Sequence, residues 1–327
     1  MAIGLKLREK SLEPEFATGG PAVEFLKSYG FKVHDVVHEP VPVESDGEMK
    51  GATLWYLRYS LGYRSTRRRM AEIVDKLAPK LVVGDEEFAS VSLAMQKGIQ
   101  HALISDELQL GFAKSAVAKW VEAFASRWYA DFQLKVFHLL IPSFGTDTGN
   151  IHYMTPVTRD VTESSGATRV EHGLPVDSPM ILLSSSGSGR KPFLLHKSVE
   201  AFRKVCTHSE VLVTTGVGGP PIGDERVREL GIVRDNQNLV AASDLVISTA
   251  GKSTIDEAVG SGTPIIAIPI RNHAEQERNA AELGFTFRDL DRLEELIRKL
   301  LGKRTEPANY AGAQKTADYL ASLLPAS

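Results

Sequence analysis

The stretch Asp244–Gly284, DLVISTAGKSTIDEAVGSGTPIIAIPIRNHAEQERNAAELG, reads as strand, tight turn, helix, strand, loop, helix. Its opening apolar run is a buried strand, and Thr249-Ala250-Gly251-Lys252 turns from the carboxyl end of that strand into a helix start. Ser253 with Asp256 fits a capping box, and Thr254 with Glu257 fits one shifted by a residue. A helix N-terminus placed there offers backbone N–H groups and a positive dipole end to a phosphate, with Gly251, Lys252, Ser253 and Thr254 around it. Glu257 is expected in the first turn, facing the same crevice. On spacing alone the helix dipole accounts for that carboxylate as well as a ligand does.

The next strand, Pro264–Ile268, ends at Pro269 and opens a polar loop, Arg271-Asn272-His273, before a helix bearing Glu275, Gln276 and Asn279. Successive parallel strands point their carboxyl ends the same way, so Glu257 and Gln276 are expected at one crevice. A carboxylate accepts two hydroxyl hydrogens and an amide both donates and accepts, which suits a ribose diol. Two solvated helix starts would show the same spacing. Gly251-Lys252-Ser253-Thr254 also looks like the end of a P-loop. That motif needs a glycine where Val246 stands, inside a strand, so a kinase or ATPase reading fails.

Working outward, short β-rich runs alternate with helical patterns almost throughout, which argues for parallel sheets built from βαβ units. Strands are expected at Glu15–Thr18, Lys32–Val37, Lys80–Val83, His101–Ile104 and Val136–Ile141, with helices near 21–29, 52–77, 87–97 and 113–131. In the second half, strands are expected at Met180–Ser184, Glu210–Thr214, Gly231–Val233, Asp244–Ile247 and Pro264–Ile268. The helices there are expected near 192–205, 224–229, 236–242, 253–260, 274–283, 289–301 and 308–324. Pro142–Pro179, rich in Gly, Pro, Ser and Thr, reads as linker or loops. The fold class is therefore α/β with two Rossmann-like domains, 1–158 and 159–327, the last helix a candidate to cross back to the first domain. Met1–Lys10 reads as the back half of a helix, whereas a doubly wound domain normally opens on a strand. The missing strand would leave two neighbours without ladder partners, so the natural chain is expected to start upstream.

Composition narrows the function classes. The 327 residues suffice for two domains, since single cores rarely grow past about 250 residues. With 38 basic and 41 acidic residues, no net field draws the chain to nucleic acid. One cysteine, Cys206, makes no internal disulfide and suits a reducing cytoplasm. No apolar run approaches the roughly 20 residues of a membrane span, and no signal peptide opens the chain. The expected location is the cytoplasm, with any membrane contact peripheral, on the inner face. The histidines are scattered without metal-ligand spacing.

Earlier in the second half, Met180–Ser184 runs into Ser185-Ser186-Gly187-Ser188-Gly189, a small-residue turn of the kind that lets backbone approach a phosphate. Together these pieces resemble the MurG-like branch of GT-B glycosyltransferases, related to glycosyltransferase family 28. The likeness is strongest over Gly231–Gly284. In that family a Gly-x-x-Thr-x-x-Glu segment supplies a glutamate to the donor ribose, and Gly251–Glu257 matches it, so the resemblance gives Glu257 that role. The family's Gln-Gln-x-x-Asn-Ala run reads Glu275-Gln276-Glu277-Arg278-Asn279-Ala280 here: Gln276 and Asn279 match, and Glu275 departs. By the same resemblance Val233, after Ile232, marks the nucleobase contact, and the turn holding Ser186 and Gly187 the phosphate-proximal loop. Thr155–Arg159 is similar to the family's interdomain Pro-x-x-Arg segment. The family's Gly-x-Gly-His turn is absent, so no catalytic base carries over.

The resemblance implies a UDP-sugar as substrate, no cofactor, and transfer of a sugar such as an N-acetylhexosamine to a lipid-linked or glycan acceptor. Lys252 or Arg271 would offset diphosphate charge, in place of a metal. Asp85 and Asp106 follow strands of the first half and are the candidate bases, each equally able to cap the element that follows. Trp55, Tyr56, Tyr59 and Tyr63 beside Arg64, Arg67, Arg68 and Arg69, with Trp120, Phe124, Trp128 and Tyr129, raise contact with an anionic membrane surface. A buried helix face with solvated arginines explains the same pattern. Two other readings stay open: a nucleotide-sugar hydrolase or epimerase, and a non-catalytic nucleotide-sugar binding protein or donor-domain partner subunit.

Overall fold

A computed structural model describes residues 1–38, 43–105, 123, 126–128, 130–184, 192–216 and 222–325. The chain divides into two compact units. The first comprises Met1–Val43, Gly51–Val157 and Tyr310–Ser327, and the second Glu44–Lys50 and Thr158–Asn309. Residues 44–50 and 310–327 thus lie across the division expected at residue 158.

In the first unit, β1 (Phe16–Thr18) pairs in parallel with β2 (Val33–Asp35). The hairpin strands β3 (Val43–Ser45) and β4 (Glu48–Lys50) come next along the chain, all but Val43 belonging to the second unit. A parallel sheet then runs in the order β5 (Leu81–Asp85), β6 (Gln100–Ile104), β7 (His138–Ile141), β8 (Ile151–Tyr153). Among the described residues β1 and β5 each have one strand neighbour. Two core clusters cover the sheet. Phe88, Val91, Leu103 and Leu139 pack on one face, and Ala102, Ile104, Leu140, Met154 and Leu320 on the other. Leu320 comes from the last helix, Gly312–Ser322, which packs against the first, Ala2–Glu9. At the start of the last helix Gly312 lies close against the backbone of Pro156, where a Cβ would stand 2.2 Å from the carbonyl oxygen.

The second unit holds a five-stranded parallel sheet. Its strands are β9 (Met180–Ser184), β10 (Val211–Thr215), β11 (Val227–Gly231), β12 (Leu245–Ser248) and β13 (Ile265–Ala267). Their order is β11-β10-β9-β12-β13. Strand side chains alternate between faces, and here both faces are buried, so β9 is apolar at every position before Ser184. Ile181 and Leu183 meet helices Pro192–Val205 and Leu293–Leu300, while Met180 and Leu182 meet Asn236–Ala242 and Lys252–Ser261.

Several expectations are corrected. The helix expected at 224–229 is replaced by β11, because Leu212 of β10 offers Val227 a ladder partner that outweighs local helix preference. Of the expected strand Gly231–Val233 only Gly231 is strand, as the last residue of β11; Ile232 and Val233 lie outside it. The segment 142–179 contains β8 and a helix, Ser165–Glu171, both too short to show a period. The helix after Gly251 begins at Lys252 with Gly251 as its N-cap and no side-chain cap, so neither capping box forms. Glu257 is therefore its sixth residue, in the second turn.

Candidate functional site

In an open parallel sheet, ligands bind beyond the carboxyl ends of the strands where the strand order reverses. In the second unit that point lies between β9 and β12, whose last residues, Ser184 and Ser248, are paired neighbours. The turn after β12 is unusual. Ala250 is fully buried with φ of 61°, a left-handed conformation that costs a non-glycine residue about 1 kcal/mol or more. Two bonds hold it: its N–H donates to Ser248 Oγ at 3.1 Å, and its carbonyl accepts from Asn279 Nδ2 at 3.2 Å. The turn delivers Gly251 to the start of helix Lys252–Ser261, where Gly251 as N-cap has no side chain to satisfy the first N–H groups.

Glu257 lies on that helix, buried, with both carboxylate oxygens engaged. Arg159 Nε donates to Oε1 at 2.8 Å and Nη2 to Oε2 at 3.3 Å. Arg159 Nη1 also reaches the Arg234 carbonyl at 3.1 Å. The segment after Arg159 clasps the next helix, Asp160 accepting from Gln237 Nε2 and Thr162 exchanging bonds with Asn238. A carboxylate offers about four lone-pair sites, so Glu257 keeps acceptor capacity for a diol while the guanidinium fixes its orientation.

The remaining expected donor residues divide. Gln276 and Asn279, both buried, brace the loops: Gln276 Oε1 accepts from the Ile270 N–H at 3.0 Å, and Asn279 holds Ala250. Lys252 pairs with Asp256 one turn on, at 2.5 Å. Ser253 is exposed at the helix start, Thr254 half-buried beside it. The Arg271 guanidinium lies over the Phe287 ring, 4.5 Å from its centroid. Val233 packs against the cluster that holds Leu239 and Val246. Ser186 and Gly187 lie outside the described residues, as does Asp106. In the first unit Asp85 ends β5 and is exposed. It does not cap the following helix, because Glu87 takes that role through the N–H groups of Ala89 and Ser90.

Tertiary structure adds residues that motif reading missed. Asn236 Nδ2 reaches Ser184 Oγ at 3.3 Å, and its Oδ1 and Gln237 Oε1 are buried without a partner among the described residues. Orphaned buried acceptors call for a ligand donor or ordered water. Among the described residues no group of three His, Cys, Asp or Glu side chains is placed to hold a metal, and no helix is long and apolar enough to cross a membrane.

Residues 223–321 match the Glycosyltransferase family 28 C-terminal domain. An uncharacterised glycosyltransferase of Methanopyrus kandleri is 23% identical over 297 residues, covering 86% of this chain and 83% of its own. A Nocardioides UDP-N-acetylglucosamine–N-acetylmuramyl-(pentapeptide) pyrophosphoryl-undecaprenol N-acetylglucosamine transferase is 26% identical, covering 77% of this chain and 70% of its own. Among solved structures, the glycotransferase of kitacinnamycin superposes with a TM-score of 0.65 at 15% identity, covering 99% of this chain and 95% of that one, a likeness of fold. The chain is a glycosyltransferase of the GT-B fold. Its C-terminal part is a family 28 domain, and its homology is to the MurG-like enzymes.

Proposed function

We propose that the chain transfers a sugar, with an N-acetylhexosamine as the first candidate, from a uridine diphosphate donor to a lipid-linked or glycan acceptor. One observation carries the reading. A buried carboxylate, Glu257, is held in a two-bond grip by Arg159 on the helix whose uncapped N-terminus follows the switch-point strand. The helix start would receive the diphosphate, and the oriented carboxylate the ribose hydroxyls. The Nocardioides transferase, whose name gives UDP-N-acetylglucosamine as its donor, supports the choice of base and sugar.

In the transfer, an acceptor oxygen attacks the anomeric carbon, the bond from that carbon to the phosphate oxygen breaks, and the diphosphate leaves with the electron pair. The acceptor proton passes to a base. Asp85 and Asp106 are the candidates for that base. Helix dipole and cations, Lys252 or Arg271 among them, would offset the leaving-group charge without a metal or other cofactor. Val233, Ser186, Gly187, Ser253, Thr254, Gln276 and Asn279 complete the proposed donor site.

A cytoplasmic protein touching an anionic membrane surface fits the exposed Arg64 and Arg68 and a half-exposed Trp128. Flotation with anionic liposomes at low salt tests this, and recovery of all protein in the unbound fraction would refute it.

Calorimetric titration with UDP, UDP-N-acetylglucosamine, and ADP- and GDP-linked controls tests the core reading. Selective uridine-nucleotide binding, lost in Glu257→Ala, is the expected result. Failure of every nucleotide to bind the folded protein would overturn it. Sugar release to water without acceptor would point to a hydrolase, and binding without any turnover to a non-catalytic partner subunit.

A further inference from the structure

Seven residues from the first third of the chain, Glu44–Lys50, belong to the second unit. They form most of the β3–β4 hairpin, whose turn is Asp46-Gly47 with φ of 52° and 71°. An isolated two-stranded hairpin is marginal in water, so this one depends on what it docks against. It docks on the backbone of Arg271. The Arg271 N–H donates to the Gly47 carbonyl at 2.8 Å, and the Met49 N–H donates to the Arg271 carbonyl at 2.9 Å. Asn272 Nδ2 donates to Glu48 Oε1 at 2.7 Å. Gly47 sits on two rings: a Cβ there would come within 2.9 Å of Phe193 and 2.8 Å of Phe287. Lys50 first, then Asn272, hold the Glu48 carboxyl below its ordinary range, so it is ionised as an acceptor near neutrality.

The far side of the same loop is fastened too. The Asn272 N–H donates to Glu277 Oε1 at 2.9 Å and the Ile270 N–H to Gln276 Oε1 at 3.0 Å. The helix carrying Gln276 also carries Asn279, which holds the strained Ala250 carbonyl before helix Lys252–Ser261. A continuous path of hydrogen bonds and one rigid helix therefore runs from Gly47 to the turn that presents the helix N-terminus.

We propose that the Glu44–Lys50 hairpin is a positioning element of the donor site. It fixes the loop Ile270–His273 and, through Gln276 and Asn279, the Thr249–Gly251 turn. None of its residues is required to touch the nucleotide. The effect on donor affinity rests on the proposed function, while the mechanical link to the turn stands without it.

The test uses Gly47→Val, Glu48→Ala and Glu48→Gln in the full chain, read by amide hydrogen exchange and by titration with UDP-N-acetylglucosamine. A valine at positive φ, overlapping Phe287, should undock the hairpin. Exchange should then rise at Met49 and Arg271 and also across Thr249–Ser253. Donor affinity should fall roughly threefold to thirtyfold, the range of couplings carried through such networks. Glu48→Ala should give a smaller change of the same kind, and Glu48→Gln, which keeps an acceptor for Asn272, should restore it. A rise confined to 44–50 and Arg271, or an undocked hairpin with unaltered donor affinity, would overturn the proposal. Should Gly47→Val fail to fold, the two Glu48 variants carry the same comparison. Should the wild-type protein bind no nucleotide, the proposed function falls and the exchange pattern alone decides the inference.

Discussion

Arg159 and Glu257 face each other across two hydrogen bonds, 2.8 and 3.3 Å, with 15% and 6% of their side chains exposed. Charge-assisted two-bond pairs of this kind fix orientation as well as energy, and in a dry site removing one partner strands the other. Arg159→Ala should therefore cost about 3 kcal/mol of stability in urea denaturation and leave Glu257 misplaced for the donor. Glu257→Gln keeps the shape but weakens the pair, so it should lose UDP affinity with a smaller stability loss. Equal UDP affinity in both variants and the wild type would remove Glu257 from the site.

Asn279 is expected to matter for folding before it matters for chemistry. Its amide satisfies the carbonyl of the fully buried Ala250. Leaving a buried carbonyl without a partner costs about 1–3 kcal/mol, so Asn279→Ala should lower the unfolding free energy by that amount and the denaturation midpoint with it. UDP affinity should fall in parallel, because the turn carries the helix start. An unchanged midpoint would show that water replaces the amide.

The attachment of the last helix to the first unit can be probed at Gly312. A Cβ there would overlap the carbonyl oxygens of Pro156 and Thr155 at 2.2 and 2.5 Å, and backbone atoms cannot rotate away. Gly312→Ala should destabilise the first unit by about 1–3 kcal/mol, the range for overpacked sites, despite alanine's higher helix propensity. A raised melting temperature would mean that the helix does not pack this closely.

A pH dependence follows from His138. Its Nδ1 meets the Tyr319 hydroxyl at 2.9 Å, and Gln100 Nε2 lies 3.1 Å from its Nε2. Burial, then the neighbouring His152 and His101, hold its pKa below the ordinary 6.5. The unfolded chain then binds a proton at higher pH than the folded one, so stability is complete above pH 6.5 and declines as pH falls toward the folded value. His138→Gln should flatten that decline between pH 6.5 and about 4, above the ordinary range of free carboxylates. An identical decline in the variant would assign it to another group.

Much of the donor side was legible in the linear chain. Strand–turn–helix punctuation around Asp244–Gly284 is local, and the short apolar runs at Met180–Ser184 and Leu245–Ser248, bounded by small-residue turns, read as buried strands. The helix boundary at Gly251 was not, because Ser253 and Thr254 are good caps and the turn ended earlier than their presence suggests. The hairpin carried a readable sign, Asp46-Gly47, the pair that two-residue turns favour. Its address on Arg271 carried none, since the two lie more than two hundred residues apart.

The sequence by itself determined the alternation of strand and helix, and with it two parallel α/β sheets. It also placed Glu257 on the helix after the switch-point strand, because periodicity and turn chemistry act over a few residues. Only the tertiary structure decided that Arg159 grips Glu257. Likewise it alone made Gln276 and Asn279 braces for the loops, and assigned Glu44–Lys50 and Tyr310–Ser327 to the units that hold them. Those outcomes are set by long-range packing: a buried polar group takes whichever partner the fold brings within about 3 Å, and nothing in its local sequence names that partner.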